Sequence, residues 1–352
     1  TAATKAALTA WLKGAFPDPV QIVLPKGETP SFALADETLD ETGASASIIK
    51  DAGDDPDVTH GAKISARIEP GATGQSIRFV AGKGVGTVTK PGLPIAVGEP
   101  AINPVPRQMM QEVVTELCTT HRISPDFTIT LSIAGGEDLA KKTWNGRLGI
   151  VGGLSVLGTT GVVHPFSCSA WIHSIHRGVD VARAAGLPHV LAATGSTSET
   201  TALRIHALPE IATIDMGDFA GGLLKYLRAH PVPRITIAGG FAKLTKLAQG
   251  AMDLHSGRSQ VDFEFLTAQA IKLNLNQNII SRIQSANTAM ETLEIAGVSA
   301  KNLAQAVALD AQSQARALLR GAPVDVEIMV VARGGELLAT APFSGDGTNE
   351  NA

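Results

Sequence analysis

Tyrosine occurs once in this chain, tryptophan three times and phenylalanine ten times, so aromatic residues make up only 4% of the 352 positions. A base-stacking platform for single-stranded nucleic acid needs a richer supply. Cysteine is scarcer still. Cys118 and Cys168 form no CxxC pair, and two isolated thiols make neither a disulfide framework nor a thiolate metal site. A reducing, cytoplasmic setting fits that usage. Positive charge is not in excess: 29 Lys and Arg stand against 33 Asp and Glu, for a net charge of −4 and a pI near 6.1. No general basic field is present to attract nucleic acid. A membrane span is not expected either. The uncharged run 148–163 is shorter than the ~20 residues a span needs, and it holds five glycines. The chain opens on TAATKAALTAWL without a Met or a signal-peptide n-region, so residues upstream of a helix already under way are expected.

What is present describes ordinary globular material. Hydrophobic residues are 44% and charged residues 18%, enough apolar content for real cores. The length suggests about two domains, and the pattern divides them as 1–165 and 166–352. In the first, a helix over 1–14 places Ala3, Ala7, Leu8, Trp11 and Leu12 on one face and stops at Gly14 and Pro17. β-rich segments follow at 20–24, 31–34, 44–49, 63–68 and 77–80, then a helix over 108–118 and a strand over 127–133. These describe an α+β domain with a mostly antiparallel sheet. After a short strand at 148–151 and a helix over 165–185, the rhythm changes. Strands at 189–194, 212–215, 234–238 and 324–332 alternate with helices at 197–207 and 219–230 and a long helical region over 241–319. That alternation argues for an α/β domain with a parallel sheet. An edge strand at 336–340 and a frayed C-terminal GDGTNENA complete the reading.

The stretch 71–107 interrupts the first domain with an unusual density of Gly and Pro. Gly82, Gly84 and Gly86 alternate around Lys83 and Val85, and Pro91, Pro94, Pro100, Pro104 and Pro106 follow. Glycine lets a backbone approach another body closely, and proline removes donors from any ladder. The segment is therefore expected to be an ordered, irregular wall with backbone groups available for binding.

Two strand-to-helix loops in the second domain are candidate ligand contacts. TGSTSET at 194–200 offers Gly195, Ser196 and Thr197 at the opening of a helix, where backbone N–H groups hold anions, with Glu199 placed to accept from ribose hydroxyls. AGGFAKLTKLAQG at 238–250 offers Gly239 and Gly240, with Lys243 and Lys246 about a turn later. Neither loop is GxGxxG or a Walker loop, so ordinary dinucleotide or triphosphate binding is not indicated. Glycines that only close a tight turn are the competing explanation for each. KDAGDDPDVTH groups Asp51, Asp54, Asp55, Asp57 and His60. Its spacing is not that of an EF-hand. Turn capping is the default reading; crowded carboxylates also allow one raised pKa, and Asp51 and Asp54 are the candidates for a proton acceptor. His255, beside Arg258, either orients an acidic substrate or ends a helix. His164, His173 and His176 lack a completing ligand and read as surface helix residues.

KDAGDDPDVTHGA, GKGVGTVTKPGLPIAVGEPAINPVPR, KKTWNGRLGIVGGLSVLGTTG and AGGFAKLTKLAQGAMDLHSG resemble, in order, the signature blocks of the CbiD family of cobalamin biosynthesis. The blocks spread over 50–257. The family opens with a Gly-X-Thr-Thr-Gly block, and this chain starts after it. The resemblance implies a C-methyltransferase that uses S-adenosylmethionine on carbon 1 of a cobalt-precorrin. Cobalt then enters only as part of the substrate, and no protein metal site is required. It also implies a ribosomal-protein-S5-domain-2-like first domain and a second domain with a parallel α/β sheet, which the glycine loops mark as the cofactor-binding one. Lys83, Lys90, Asn103 and Arg107, with Thr159, Thr160, Gly161 and His255, are then candidates for holding the acceptor's carboxylates. A non-catalytic carrier of a labile pigment and an unrelated nucleotide-binding enzyme are the rival readings. A homo-oligomer is compatible with the sequence.

Overall fold

The computed structural model describes residues 1–344. The GDGTNENA segment, expected to fray, lies outside the described residues. The chain divides into two compact units, Thr1–Ser167 and Cys168 onward.

The first unit opens with α1 (Ala2–Lys13), whose buried face is Ala2, Ala3, Ala6, Ala7, Leu8 and Ala10. Gly14 closes it in the left-handed conformation that glycine tolerates at a helix end, its N–H on Ala10 O at 2.7 Å. β1 (Val20–Gln21) and β2 (Ser31–Phe32) make a small antiparallel ribbon. The strands β3 (Asp36–Leu39), β4 (Ala44–Ile49), β5 (Lys63–Pro70) and β6 (Arg78–Ala81) follow. Next come the two-residue β7 (Gly84–Val85) and β8 (Thr87–Val88), α2 (Pro104–His121), β9 (Phe127–Ile133) and α3 (Gly136–Ala140). β10 (Ile150–Val151) and β11 (Gly153–Leu154) end the set. The main sheet runs β3-β4-β5-β9-β6 and is antiparallel except for the β6/β9 pair. β9 alternates strictly, with Phe127, Ile129, Leu131 and Ile133 buried. Each such side chain contributes about 1.5–3 kcal/mol by leaving water. α1 packs across β4 and β5, and methyl groups meet there: Ala6, Ala7 and Ala10 face a sheet surface carrying Ala44, Ala46 and Ala66. Helix and sheet approach closely because nothing bulky separates them, and a larger residue at the contact would overpack it.

Two expectations change here. β3, Asp-Glu-Thr-Leu, is exposed at every position and carries no alternation to betray it. It is held as an edge by register with β4 and by ion pairs of Lys63 with Asp36 and Arg67 with Asp40. α2 begins at Pro104, earlier than expected. Pro104 and Pro106 fit its first turn, where missing N–H groups are unneeded.

The second unit contains α4 (Cys168–Ala184), β12 (His189–Ala193), α5 (Ser196–His206), β13 (Thr213–Ile214), α6 (Ala220–Ala229) and β14 (Arg234–Gly240). The long helical region resolves into five helices. They are α7 (Phe241–Ala248), α8 (Phe263–Lys272), α9 (Gln277–Gln284), α10 (Ala289–Ala296) and α11 (Ala300–Leu319). The side chains of Asp262, Asn276 and Thr288 cap α8, α9 and α10; each cap satisfies an orphan N–H. β15 (Asp325–Val331) and β16 (Leu337–Ala341) finish the sheet. Its order is β13-β12-β14-β15-β16, with β16 antiparallel and the others parallel. Near-continuous buried runs in β12, β14 and β15 reflect cover on both faces. One face packs on α4, α6, α7 and α11 through Ile235, Ile237, Val326 and Ile328. The other packs on α5, through Leu191, Ala193, Ala238 and Met329 against Ala202.

A buried polar chain lies on the α5 face. His189 Nε2 is 2.8 Å from Thr236 Oγ1, which donates to Glu327 Oε2 at 2.7 Å; His206 Nε2 reaches the same oxygen at 2.6 Å. Because the Thr236 proton goes to the carboxylate, His189 must donate to it from Nε2. Burial first, then the neighbouring His206 and Arg234, push the His189 pKa down to about 4. His189 is thus neutral in the fold and protonated in the unfolded chain below about 6.5. Its contribution to stability is complete above that pH and is lost as pH falls toward 4. Denaturant midpoints measured across this window should decline on acidification, and His189→Gln should flatten the decline. An unchanged slope in the variant would remove His189 as its cause.

Candidate functional site

The topology of the second sheet creates a crevice at its carboxyl edge. β12 is followed through α5 by β13 on one side, and the chain then returns through α6 to β14 on the other. The loops leaving β12 and β14 therefore part toward opposite faces, one into α5 and one into α7. Ligands of open α/β sheets bind at such a switch point. A pocket of about 370 Å³ occupies it here, within the roughly 300–1,000 Å³ usual for small-molecule sites. Thr194 through Ser198 form one wall, Gly240 through Lys243 another, and Met290 of α10 and Val331 through Arg333 at the end of β15 the rest.

Gly195, Ser196, Thr197 and Gly240 thus meet in one place. A Cβ on Gly195 or Gly240 would encounter nothing within 4 Å, so the missing side chains leave open space. Gly239 is different. Its Cβ would lie 2.9 Å from Thr194 Oγ1 and 3.2 Å from Leu244 Cγ, so packing within the protein already favours glycine here. Glu199, one turn along α5, is half-buried and is not part of the pocket wall. Both helices present N-terminal amides at the pocket, and these favour negative charge. Lys243 Nζ lies 2.5 Å from Asp218 Oδ1 and 3.4 Å from Thr194 O. The Asp218 contact is one of charge: that oxygen is buried and takes no hydrogen bond of regular geometry among the described residues. Arg333 is exposed at the tip between β15 and β16. Met290, Asp218 and Arg333 were missed from sequence, and Lys243 was noted there without a role. Arg333 alone had a signal, since ARGGE follows a strand directly.

His255 stands apart from this pocket wall. Its Nδ1 accepts the Gly257 N–H at 3.1 Å and its own N–H goes to Asp253 Oδ1 at 3.0 Å. It builds a turn in the loop between α7 and α8 and does not end a helix. Lys246 is buried, donating to Leu254 O at 3.0 Å. Among histidines of α4, His176 stacks on Tyr226 at 3.9 Å, and burial first lowers its pKa.

In the first unit, the Gly/Pro wall is ordered but its backbone groups are mostly spent. The N–H groups of Gly86, Val88, Thr89, Ala101 and Asn103 go to Leu154, Glu99, Gly149, Gly86 and Val156 carbonyls at 2.7–3.0 Å. Gly84 is a packing requirement: its Cβ would lie 2.0 Å from Ile133 O. Arg107, expected to bind a substrate carboxylate, is committed internally. Its Nε donates to Ile102 O at 2.9 Å, and Nη2 donates to Pro100 O at 3.0 Å. Both Nη groups reach Glu99 Oε2 at 3.2 Å, and the guanidinium sits over Phe79. Asn103 precedes α2 without capping it. Lys83 is exposed and has no ion pair among the described residues, and Lys90 is half-buried with its stem on Gly149. Thr159 and Gly161 are exposed; Thr160 Oγ1 closes a turn on Val162 O at 3.0 Å. Gly161 has φ +76° and leaves no room for a Cβ beside Leu24.

The carboxylates of the Asp-rich turn serve mainly to hold the turn itself. Asp51 accepts from Gly53 N–H at 2.8 Å, and Asp54 is exposed. Asp55 accepts from Phe166 N–H at 3.1 Å. Burial opposes the charge of Asp57, but hydrogen bonds from Lys50 and Thr59 outweigh it and lower its pKa. Among the described residues, no group of three or more His, Cys, Asp or Glu is arranged to hold a metal ion, and no helix is long and apolar enough to cross a membrane.

The family model described as CbiD matches residues 1–165, and that described as CbiD, C-terminal domain, matches 253–342. Curated relatives include the cobalt-precorrin-5B C(1)-methyltransferase of Brucella anthropi, 61% identical over 96% of this chain and 92% of that protein. The protein of that name from Brucella canis is 62% identical over the same shares. A solved structure, the cobalamin biosynthesis protein (cbiD) from Archaeoglobus fulgidus, is 23% identical. It covers 68% of this chain and 73% of its own, with a TM-score of 0.36, too loose to carry structural detail.

Two substitutions separate pocket from scaffold. Gly240→Val projects into open space and should leave thermal unfolding unchanged while abolishing S-adenosylhomocysteine binding in calorimetry; retained binding would move the ligand elsewhere. Arg107→Ala should cost about 1.5–3 kcal/mol of stability, the scale of hydrogen bonds to a charged group, and denaturant titration would show it.

Proposed function

The chain belongs to the CbiD family, and on that premise we propose that it methylates carbon 1 of cobalt-precorrin-5B with S-adenosylmethionine, giving cobalt-precorrin-6A in cobalamin biosynthesis. The observation that carries the donor assignment is the glycine-walled pocket between the N-termini of α5 and α7. The residues present fit the donor. Gly195 and Gly240 leave their sides of the pocket unfilled, and the α5 amides with the Ser196 and Thr197 hydroxyls suit its carboxylate and its ribose. Glu199 is retained as a more distant ribose partner and Gly239 as the support of the second loop. Lys243 and Arg333 bring positive charge to the rim. When bound, the donor supplies a methyl group on a sulfonium, already strongly electrophilic.

The protein's own work is then alignment and exclusion of water more than proton transfer. Asp51 and Asp54 are assigned to their turn in this reading. Lys83 and Lys90 receive acceptor carboxylates, while Asn103 and Arg107 fix the shape of the wall that carries them. Thr159, Thr160, Gly161 and His255 offer exposed polar groups of the same kind. The cobalt belongs to the substrate. The first unit is assigned to the ribosomal-protein-S5-domain-2 type, on the support of two helices packed on a mainly antiparallel sheet. A cytoplasmic setting is supported by two free cysteines, one buried and one exposed.

Incubation with methyl-labelled S-adenosylmethionine and the reduced acceptor should place label in the tetrapyrrole. S-adenosylhomocysteine should bind in calorimetry, and NAD and ATP should not. Acceptor binding without transfer would make the protein a carrier; binding of NAD or ATP in place of S-adenosylhomocysteine would make it a different enzyme.

A further inference from the structure

The pocket of the second unit is lined by two cations, Lys243 and Arg333, and by the N-termini of α5 and α7; among the described residues no Asp or Glu side chain lines it. That balance does not match S-adenosylmethionine, whose sulfonium and α-ammonium outnumber its one carboxylate. The missing negative charge stands one contact behind the wall. Asp218 Oδ1 lies 2.5 Å from Lys243 Nζ, and that Nζ lies 3.4 Å from Thr194 O, itself in the wall. The Asp218 oxygen is buried and still takes no hydrogen bond of regular geometry among the described residues. A buried acceptor in that state gains most from a donor that can approach it squarely.

The two partners are held differently. Asp218 is fixed on its loop. Gly217 N–H bonds Ala193 O at 3.1 Å, Phe219 N–H bonds Met216 O at 3.1 Å, and Leu254 N–H bonds Asp218 O at 2.8 Å. The Trp171 ring covers Gly217, where a Cβ would come within 3.1 Å of it, and Nε1–H of that ring donates to Asp215 O at 3.0 Å. Lys243 has a flexible stem, and its side chain is 38% exposed against 20% for Asp218. A pair as exposed as this contributes little to stability. The lysine head can leave the acid and stay in water, provided another cation takes its place at Asp218.

We propose that the Asp218–Lys243 pair is the receptor for the amino-acid end of the donor, which enters by exchanging one ion pair for two. The inference rests on the donor pocket proposed above and gives its ligand a direction. The α-ammonium replaces Lys243 Nζ at Asp218 and Thr194 O. The Lys243 ammonium turns to the α-carboxylate, beside the α5 amides. The exchange moves no proton. It leaves no charge unpaired in either state, and so avoids the cost of an uncompensated buried charge. An anion without an ammonium, such as a phosphate, takes Lys243 and strands Asp218. A cation without a carboxylate takes Asp218 and strands Lys243. A ligand with both signs on one carbon completes the set.

The test pairs each side chain with the ligand group assigned to it, by calorimetry on the full chain. The ligands are S-adenosylhomocysteine, its analogues lacking the α-amino or the α-carboxyl group, and 5′-methylthioadenosine, which lacks the whole amino-acid end. On the wild type, loss of the amino group should weaken binding roughly tenfold or more, the scale of a hydrogen bond to a charged group. In Asp218→Asn that penalty should vanish, and the deaminated analogue should bind more tightly than it does to the wild type, because Lys243 no longer has a carboxylate to abandon. In Lys243→Met the penalty for losing the carboxyl group should vanish in the same way, which reads the other half of the exchange should Asp218→Asn not fold. Affinity for 5′-methylthioadenosine should hold in both variants. Penalties equal to those of the wild type in both variants, or equal weakening of every ligand, would overturn the exchange while the donor pocket stood. A wild type that binds neither S-adenosylhomocysteine nor 5′-methylthioadenosine would overturn the donor pocket, and the exchange with it.

Discussion

The position of β12 between β13 and β14 is the constraint on which the second unit depends. A parallel strand must be reached by a crossover, and crossovers in one sheet keep one hand. The chain moves from β12 to β13 on one side and returns to β14 on the other, so the two helices following the central strands cover opposite faces. The loops above them cannot close on each other. The crevice is thus a by-product of connectivity, and the residues at its mouth need only be small enough to leave it open. Gly195 and Gly240 meet that need, whereas Gly239 answers to the packing of Thr194 and Leu244. Two adjacent glycines at the end of β14 have different physical reasons.

The same distinction governs the first unit. Its density of glycine suggested backbone offered to a ligand. The structure uses much of it to bring backbone against backbone. A Cβ on Gly136 would lie 2.2 Å from Gly84 O, and one on Gly153 would lie 2.3 Å from the same oxygen. Three segments distant in sequence converge on one carbonyl, and only hydrogen fits between them. Short strands form at 84–85 and 87–88 because the prolines of the segment begin only at Pro91 and leave those residues free to pair.

This explains which parts were legible in the sequence. β4 and β9 were readable to the residue; in β9 strict period-two burial writes itself into the sequence, whereas β4 shows only a partial alternation. The second sheet was readable from runs of Val, Ile and Ala between helices. β3 was not, because an exposed edge strand is fixed by its neighbour and by ion pairs with residues far along the chain. For the candidate site, the glycine loops were visible as motifs, but Met290 and Arg333 come to the pocket from elements whose placement depends on the whole sheet. Asp218 was visible as a letter before a helix. Its meeting with Lys243 is a fact of packing, and no spacing rule announces it.

Arg107 and Lys90 show how far residue type falls short of availability. Both are cations in the same Gly/Pro segment, and both suit a carboxylate. The guanidinium carries five donors in a fixed fork, and two carbonyls and Glu99 lie within reach of that fork. It is consumed by the loop that presents it, and the wall gains its shape from that loss. A lysine has one flexible head and a long apolar stem. Lys90 spends the stem on Gly149, a contact that costs the head nothing. The chemistry that rigidifies a loop and the chemistry that leaves it charge to offer are therefore divided between the two residues. Exchanging them would undo both: a lysine at 107 has no fork to join two carbonyls to Glu99, and an arginine at 90 would bring a fork that can be captured in the same way.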